Sequence, residues 1–446
     1  MNTIRRYKLS LPIILIAGFI YSYLAWNMQM GQCPDEQMRY PVAQWIVSHN
    51  SLPTGYEEEL INPTWGFSYA LLPYFPTMAG AVFMKCISIF THSEHLLLFA
   101  CRFVEVIAGS IDVFLCFRIG DKLFHNKVSV YMLAIFVGFL PQIAYLSGYI
   151  NNDVVSLMSC FIIFDALLTG TTGWTLKKSL YLASGVSFCM LTYYFAYMWV
   201  IIAIVGYIFT SYKSTQNKIK TAKGAGTVAM MVFVMAGWYF IRNIIIYNGD
   251  VFGLNQTAIS ASMYEAEGHE VFHAISAQDH GMSFREMMLD NSLDIGWIRT
   301  TTRSLLGQFG YMAYTMPEYV YDFYKWFLRL GLFLLVYFKE KTKLRKSIVF
   351  SLIISVIAVV AISAYNSFYN DYQSQGRYIL SAIPAIGTFV IAGYDALGER
   401  LASLKFVRKS KVMQVVAGNA VQVVLSIALI GIFIYVLKTV MIPNLF

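Results

Sequence analysis

Apolar stretches of about twenty residues, each long enough to cross a ~30 Å hydrocarbon core as a helix, recur along the whole chain. No other feature restricts the fold as much. Inside a bilayer the backbone finds no water, so a chain threaded this way must satisfy its amides and carbonyls within helices. The runs fall near Leu9–Trp26, Leu96–Ile119, Val130–Ile150, Val154–Leu168, Leu180–Tyr194, Ala196–Thr210, Thr227–Ile246, Tyr321–Tyr337, Ile348–Tyr365, Tyr378–Tyr394 and Val415–Leu437. Eleven transmembrane helices in one domain, residues 1–446, is the resulting expectation: an all-α polytopic membrane protein. Only 13% of the residues are charged, against roughly 25% in a soluble domain.

Loop charges set the orientation. Lys122 and Lys127, Lys177 and Lys178, and Lys213, Lys218, Lys220 and Lys223 occupy successive loops on one side. Lys339, Lys341, Lys343, Arg345 and Lys346, and then Arg400, Lys405, Arg408, Lys409 and Lys411, fall on the same side. The positive-inside rule makes that side cytoplasmic, with the N-terminus in and the C-terminus out. Phe67–Phe90 is apolar enough to be another span but contains Pro73, Pro76 and Lys85. Were it to cross, every later basic loop would change sides, so it is expected to be an interfacial hairpin on the outer face. Two outer loops are then long, 27–95 with juxtamembrane helices and 248–320 over the site. Arg5, Arg6 and Lys8 precede the first run with no small-residue cleavage site after it, which reads as an uncleaved span. The net charge of +8 is spread over these loops and not gathered in a stripe, which argues against nucleic acid. Cys33, Cys86, Cys101, Cys116, Cys160 and Cys189 form no CxxC pair and mostly sit in apolar runs, as small core residues.

Several polar constellations stand out. Asp35-Glu36 follows Cys33-Pro34 just beyond the first span: a carboxylate pair suited to base or metal chemistry, or simply a negatively charged first helical turn. Asn151-Asn152-Asp153 forms a tight outer turn, where Asn and Asp are also ordinary turn and cap residues. Arg102 and Glu105 lie three apart on one helix face, so Arg102 either holds a phosphate or pairs with Glu105; Asp112, deeper, is expected to bond a neighbouring helix. Arg242, in GWYFIRN, and Arg377, in QGRY, lie near outer membrane ends, where arginine snorkels or grips phosphate bidentately. The segment Thr300–Tyr314 reads as a membrane-hugging wall. His269 and His273, four apart, can share a helix face and bind metal weakly, but HExxH is absent. There is no Walker A, GxSxG or GxGxxG motif.

Taken in order, these pieces resemble the GT-C class of membrane glycosyltransferases, which includes the protein mannosyltransferases and the aminoarabinose transferase of lipid A. The matching segments are PDE at Asp35-Glu36, RFVEVIAGSIDVFLCFRIGDKLF from Arg102, PQIAYLSGYINNDV from Pro141, GWYFIRNIIIYNGDVFG from Gly237, GQFGYMAY from Gly307 and QGRYILSAIPAIG from Gln375. The resemblance implies transfer of a sugar, with inversion, from a polyprenyl-phosphate donor to a cell-envelope glycan or lipid-linked acceptor on the extracytoplasmic face. It implies Asp35, with Glu36 beside it, as the general base, and Asp153 as a second acidic residue acting through a divalent metal or without one. Arg102, Arg242 and Arg377 become the donor-phosphate ligands. Relatives carry a Lys near the end of the fifth span; here Leu191–Tyr197 has none.

Two other readings use the same residues. A transporter or flippase of anionic lipid would need polar groups along a path through the midplane, and Glu105, Asp112 and Asp165 supply candidates, though no inverted repeat is evident. A non-catalytic envelope assembly protein would use the outer loops as binding surfaces, with Asp35 only a cap.

Overall fold

A computed structural model describes residues 10–124, 126–264, 276–290, 296–337 and 346–446. The first half of the chain forms α1 (Leu11–Asn27), α2 (Glu36–His49), α3 (Phe75–Ser88), α4 (Glu94–Leu123), α5 (Lys127–Gly138), α6 (Pro141–Leu146), α7 (Asp153–Gly170), α8 (Leu176–Met190) and α9 (Met198–Thr215). The second half forms α10 (Lys218–Val232), α11 (Trp238–Ile246), α12 (Leu254–Tyr264), α13 (Phe284–Leu289), α14 (Trp297–Gly307), α15 (Glu318–Leu334), α16 (Lys346–Tyr369), α17 (Ile383–Ala402), α18 (Lys411–Val436) and α19 (Ile442–Leu445). A two-residue antiparallel ladder between β1 (Gln308–Phe309) and β2 (Tyr314–Thr315) is the one sheet among the described residues.

Each predicted apolar run is largely helical. Six helical stretches are long and apolar enough to cross a membrane: Asp153–Gly170, Tyr194–Thr215, Lys218–Ile246, Ile348–Tyr369, Gly376–Ala402 and Lys411–Leu445. α7 is apolar nearly all round and buried nearly all round, which makes it the central post of the bundle. α17 is almost as enclosed, whereas α9, α10, α16 and α18 turn broad apolar faces outward.

Three departures from the expected spans matter for the site. The run Val130–Ile150 is two helices, because the chain breaks at Phe139–Leu140 and restarts with Pro141 in the first turn of α6, where a missing N–H costs nothing. The Phe67–Phe90 region yields α3, whose 14 residues reach about 21 Å at 1.5 Å per residue, short of a bilayer core. α15 carries Asp322, Lys325 and Arg329 within the predicted span Tyr321–Tyr337 and is amphipathic. Lys339, Lys341, Lys343 and Arg345 lie outside the described residues.

Candidate functional site

The adjacent carboxylates Asp35 and Glu36 are sent in opposite directions. Asp35 has a left-handed backbone, φ +63°, a conformation Asp adopts more readily than most residues. It stands at the N-cap of α2, yet its side chain makes no capping bond. Instead its Oδ2 accepts a 2.6 Å hydrogen bond from Nη1 of Arg377. Glu36, one residue on and fully buried, faces into the bundle. Its two oxygens accept from Nε and Nη2 of Arg102 at 2.8 and 2.6 Å, and Oε1 also accepts from the Ile150 amide at 3.0 Å. Nη1 of Arg102 donates to the Ala25 and Met28 carbonyls at 2.8 and 2.7 Å.

This corrects two expectations. Arg102 is 1% exposed with its fork taken up by Glu36 and α1, so it is not available to a phosphate, and its partner is not Glu105. Glu36 is likewise spent on structure. A buried, bidentate pair of this kind ties α1, α2, α4 and the turn after α6 together at one point. Asp112 fails its expected part too, since neither of its oxygens has a hydrogen-bond partner.

Arg377 reaches Asp35 because of the residue before it. A Cβ on Gly376 would stand 2.0 Å from the Leu305 amide nitrogen, so only glycine lets this turn lie directly on α14. Arg377 then begins a polar chain along one wall. Its Nη2 donates to the Tyr378 hydroxyl at 3.3 Å, which donates to Oε1 of Gln373 at 3.4 Å. Nε2 of Gln373 donates to Oδ2 of Asp371 at 2.9 Å, and Nε2 of Gln375 donates to Gln373 Oε1 at 2.7 Å. Asp35, Arg377, Gln373 and Asp371 thus line one cavity of about 360 Å³ with Gln37, Trp65, Tyr69, Tyr311 and Met312.

The opposite wall is the β1–β2 turn. The restart at Pro141 aims α6 so that Oε1 of Gln142 accepts from the Gln308 amide at 2.9 Å and the Tyr145 hydroxyl accepts from the Gly310 amide at 3.2 Å. Held there, Tyr311 and Met312 have φ of +52° and +66°. Three of the six positive-φ non-glycine residues among those described, Asp35, Tyr311 and Met312, line this one cavity. Strained backbone concentrates where ligands are held.

Beneath the cavity the two asparagines of the Asn151–Asp153 turn do the ordinary work of such residues. Asn151 Oδ1 caps α7 by accepting from the Asp153 and Val154 amides, and Nδ2 of Asn152 donates to the Pro73 and Thr192 carbonyls. Asp153 is left over: 4% exposed, with Oδ1 unpartnered. Arg39 and Arg377 both act electrostatically on Asp35 and on Asp153. Arg39, one turn after Asp35 in α2, is 5% exposed with Nε and Nη1 unpartnered, and its guanidinium lies 4.0 Å over the Tyr69 ring. Its signal in the sequence is an arginine one turn after Asp35, on the face of α2 that is buried.

Burial pushes the Asp35 carboxyl up, but the Arg377 and then the Arg39 charges more than offset this and hold it below its ordinary value. Asp371 is shifted the other way, upward by burial, with the Gln373 hydrogen bond only partly opposing. The cleft therefore carries one carboxylate held ionised and another that protonates more easily.

Arg242 does not join this cleft. It donates from Nη2 to the Pro53 carbonyl, keeps Nη1 unpartnered, and sits beside Tyr74 and Tyr247. The neighbouring Phe240, Ile241 and Ile244 line an apolar groove of about 820 Å³ that also takes in Val200, Val232 and Phe252. The three arginines therefore occupy three places, and only Arg377 meets Asp35. On the other side of the molecule Asp165 is locked by Arg118 at 2.7 Å and by Lys122, so it is an anchor and not a stop on a polar path.

The donor set among the described residues does not fit a metal held by protein side chains. Among the described residues no three His, Cys, Asp or Glu converge, and Asp35 is already engaged. His269 and His273 lie outside the described residues.

The fold defined by this bundle is that of the GT-C membrane glycosyltransferases. The archaeal oligosaccharyltransferase AglB from Archaeoglobus fulgidus, in complex with an inhibitory peptide and a dolichol-phosphate, superposes with a TM-score of 0.54 at 12% identity, over 97% of this chain and 55% of its own. The A. fulgidus enzyme tethered to an acceptor peptide containing the NVT sequon gives 0.57 at 14%, over 96% and 55%. ArnT from Cupriavidus metallidurans, bound to undecaprenyl phosphate, gives 0.53 at 12%, over 100% and 74%. The chain thus spans about half the length of the oligosaccharyltransferases, and at these identities the likeness is one of fold. No family model matches the sequence, and no curated protein does.

Proposed function

We propose that this chain is an inverting glycosyltransferase, moving a hexosyl or pentosyl group from a polyprenyl-phosphate donor to a cell-envelope glycan or lipid-linked acceptor. The reading includes eleven spans, N-terminus in and C-terminus out, in the cell membrane, with the cleft on the extracytoplasmic face. The observation that carries it is the Asp35–Arg377 contact inside a polar cleft, in a bundle that also holds a long apolar groove. Two of the three fold neighbours have been captured with a lipid phosphate, dolichol-phosphate in one and undecaprenyl phosphate in the other. Here the groove beside α11 would take the isoprenoid tail and Arg242 the outer end of that lipid.

In this mechanism Asp35, kept as a carboxylate by Arg377, accepts the proton of an acceptor hydroxyl through Oδ1. The freed oxygen attacks the anomeric carbon as the bond from that carbon to the phosphate oxygen breaks, and polyprenyl phosphate leaves with the electron pair. Developing phosphate charge meets the unpartnered Nε of Arg377 and the spare donors of Arg39, fixed groups of the kind that stabilise transition states most. Asp153, across from both arginines, orients them. No step is routed through a metal. Transfer from a defined polyprenyl-phosphate sugar by the purified protein tests this. Wild type should transfer and Asp35→Asn, folded to the same degree, should not; normal transfer by Asp35→Asn, or lipid movement across vesicles without any transfer, overturns the proposal.

A further inference from the structure

Away from the cleft, three cations converge on a pocket for which sugar transfer has no use. Arg299 and Thr302 of α14 and Lys325 and Arg329 of α15 line a cavity of about 400 Å³, with Leu289, Ile298 and Leu328 as part of its apolar wall. Among the described residues no acidic side chain lines it. Two stand near in sequence, both exposed: Asp322, 3.3 Å from Lys325, and Asp290, just after α13. Arg299 already has an interaction within the protein, so the charge offered to a ligand rests on the other two. Lys325 has three ammonium donors and spends one on Asp322. Arg329 is exposed, with its guanidinium 6.0 Å from the centre of the Trp326 ring.

The setting of these cations points to lipid. Trp326, Leu330 and Phe333 are 67%, 47% and 69% exposed, and their spacing of four and three residues makes an outward apolar stripe on α15. Lys325 and Arg329 adjoin that stripe, about 10 and 16 Å along the helix from its start at 1.5 Å per residue. A cation that far along a lipid-facing helix is costly unless it is paired or reaches water. Snorkelling would send single cations outward one by one, whereas these gather with Arg299 around one cavity. The cavity also has two chemically distinct halves. A soluble anion would leave the apolar half unused, and a neutral lipid would leave the cationic half unused.

We propose that this pocket binds the head of an anionic phospholipid, its phosphate held by Lys325 and Arg329 and the first methylenes of its chains against Leu289 and Leu328. Thr302 supplies a hydroxyl to the same phosphate. In the orientation given above the lipid belongs to the outer leaflet, where it joins α13, α14 and α15. The site is separate from the cleft and does not depend on the glycosyl-transfer reading.

The test uses full-length protein in nanodiscs of phosphatidylcholine with phosphatidylglycerol added in steps. Native mass spectrometry reads the retained lipid whether or not any sugar is transferred. Wild type should retain phosphatidylglycerol in preference to phosphatidylcholine. Lys325→Gln with Arg329→Gln should weaken that retention about thirtyfold, and Arg329→Gln alone about fivefold, the effects of two cations and of one at a membrane surface. The exchange Lys325→Arg with Arg329→Lys keeps both charges and should keep most of the binding. Lys218→Gln with Lys220→Gln removes the same charge from exposed positions elsewhere and should change nothing, which separates a pocket from net charge. Unchanged retention in monodisperse protein carrying both pocket substitutions, or an equal loss in the Lys218 and Lys220 variant, overturns the proposal. So does the lack of any preference over phosphatidylcholine, or tighter binding of glycerol 3-phosphate or undecaprenyl phosphate than of phosphatidylglycerol.

Discussion

Replacing Arg377 with Gln removes a guanidinium that meets Asp35 at 2.6 Å, between side chains 15% and 22% exposed. A charge-assisted hydrogen bond contributes about 1.5–3 kcal/mol, and partial solvent access places the ground-state part at the low end. The larger loss comes at the transition state. The Nε of Arg377 has no protein partner and, in the proposed mechanism, meets charge that develops only as the phosphate leaves. Losing one such preorganised donor costs about 2.7–4 kcal/mol, a factor of roughly 10²–10³ in kcat. The same substitution removes the strongest influence holding the Asp35 carboxyl down, so that the upward push of burial is opposed only by Arg39 and Tyr69. Since the ionised form takes the proton, activity falls as pH drops through the Asp35 pKa, and in Arg377→Gln that acidic limb should move to higher pH. The assay is the pH dependence of kcat/KM with a defined polyprenyl-phosphate sugar, which reports groups of the free enzyme. A variant with undiminished kcat and an unmoved acidic limb refutes the coupling of Arg377 to Asp35.

Glu36→Gln should act on stability, because it leaves Arg102 charged and buried with half its partner gone; the loss is about 3–5 kcal/mol, read as a lower midpoint of thermal aggregation in detergent. Gly376→Ala forces a contact of 2.0 Å at Leu305, which must push Arg377 off Asp35, so transfer should drop steeply even where the purified protein stays monodisperse. Arg39→Met keeps the contact with the Tyr69 ring but removes the charge, and should lower kcat more than it raises the donor KM.

Much of the helical layout was legible because a bilayer-length apolar run has few alternatives. The turn at Asn151–Asp153 was legible for the same kind of reason, since short polar side chains satisfy a tight turn locally. What stayed hidden depended on partners distant in sequence. Arg102 invites either a phosphate or its helix neighbour Glu105 as partner, whereas the partner it has, Glu36, is 66 residues away. Glu36 was grouped with Asp35 for the matching reason: adjacency conceals that successive side chains at a helix start diverge. The polar wall of the cleft was missed at Asp371 and Gln373, although the dense polar run from Asn370 to Gln375 before an apolar helix was a fair signal. The break at Pro141 was hidden inside an unbroken apolar run, and it is what aims Tyr145 at the β1–β2 turn.

Asp35 and Arg377 meet across 342 residues of sequence, whereas the Glu36–Arg102 clasp closes within the first quarter of the chain. During biogenesis the amino-terminal helices can lock against one another early, while the Asp35–Arg377 pair cannot form until the last third has been inserted. A truncated or stalled chain would therefore be a folded but inert platform. Co-expressed halves, split after α12, should regain activity only once the carboxy-terminal piece docks.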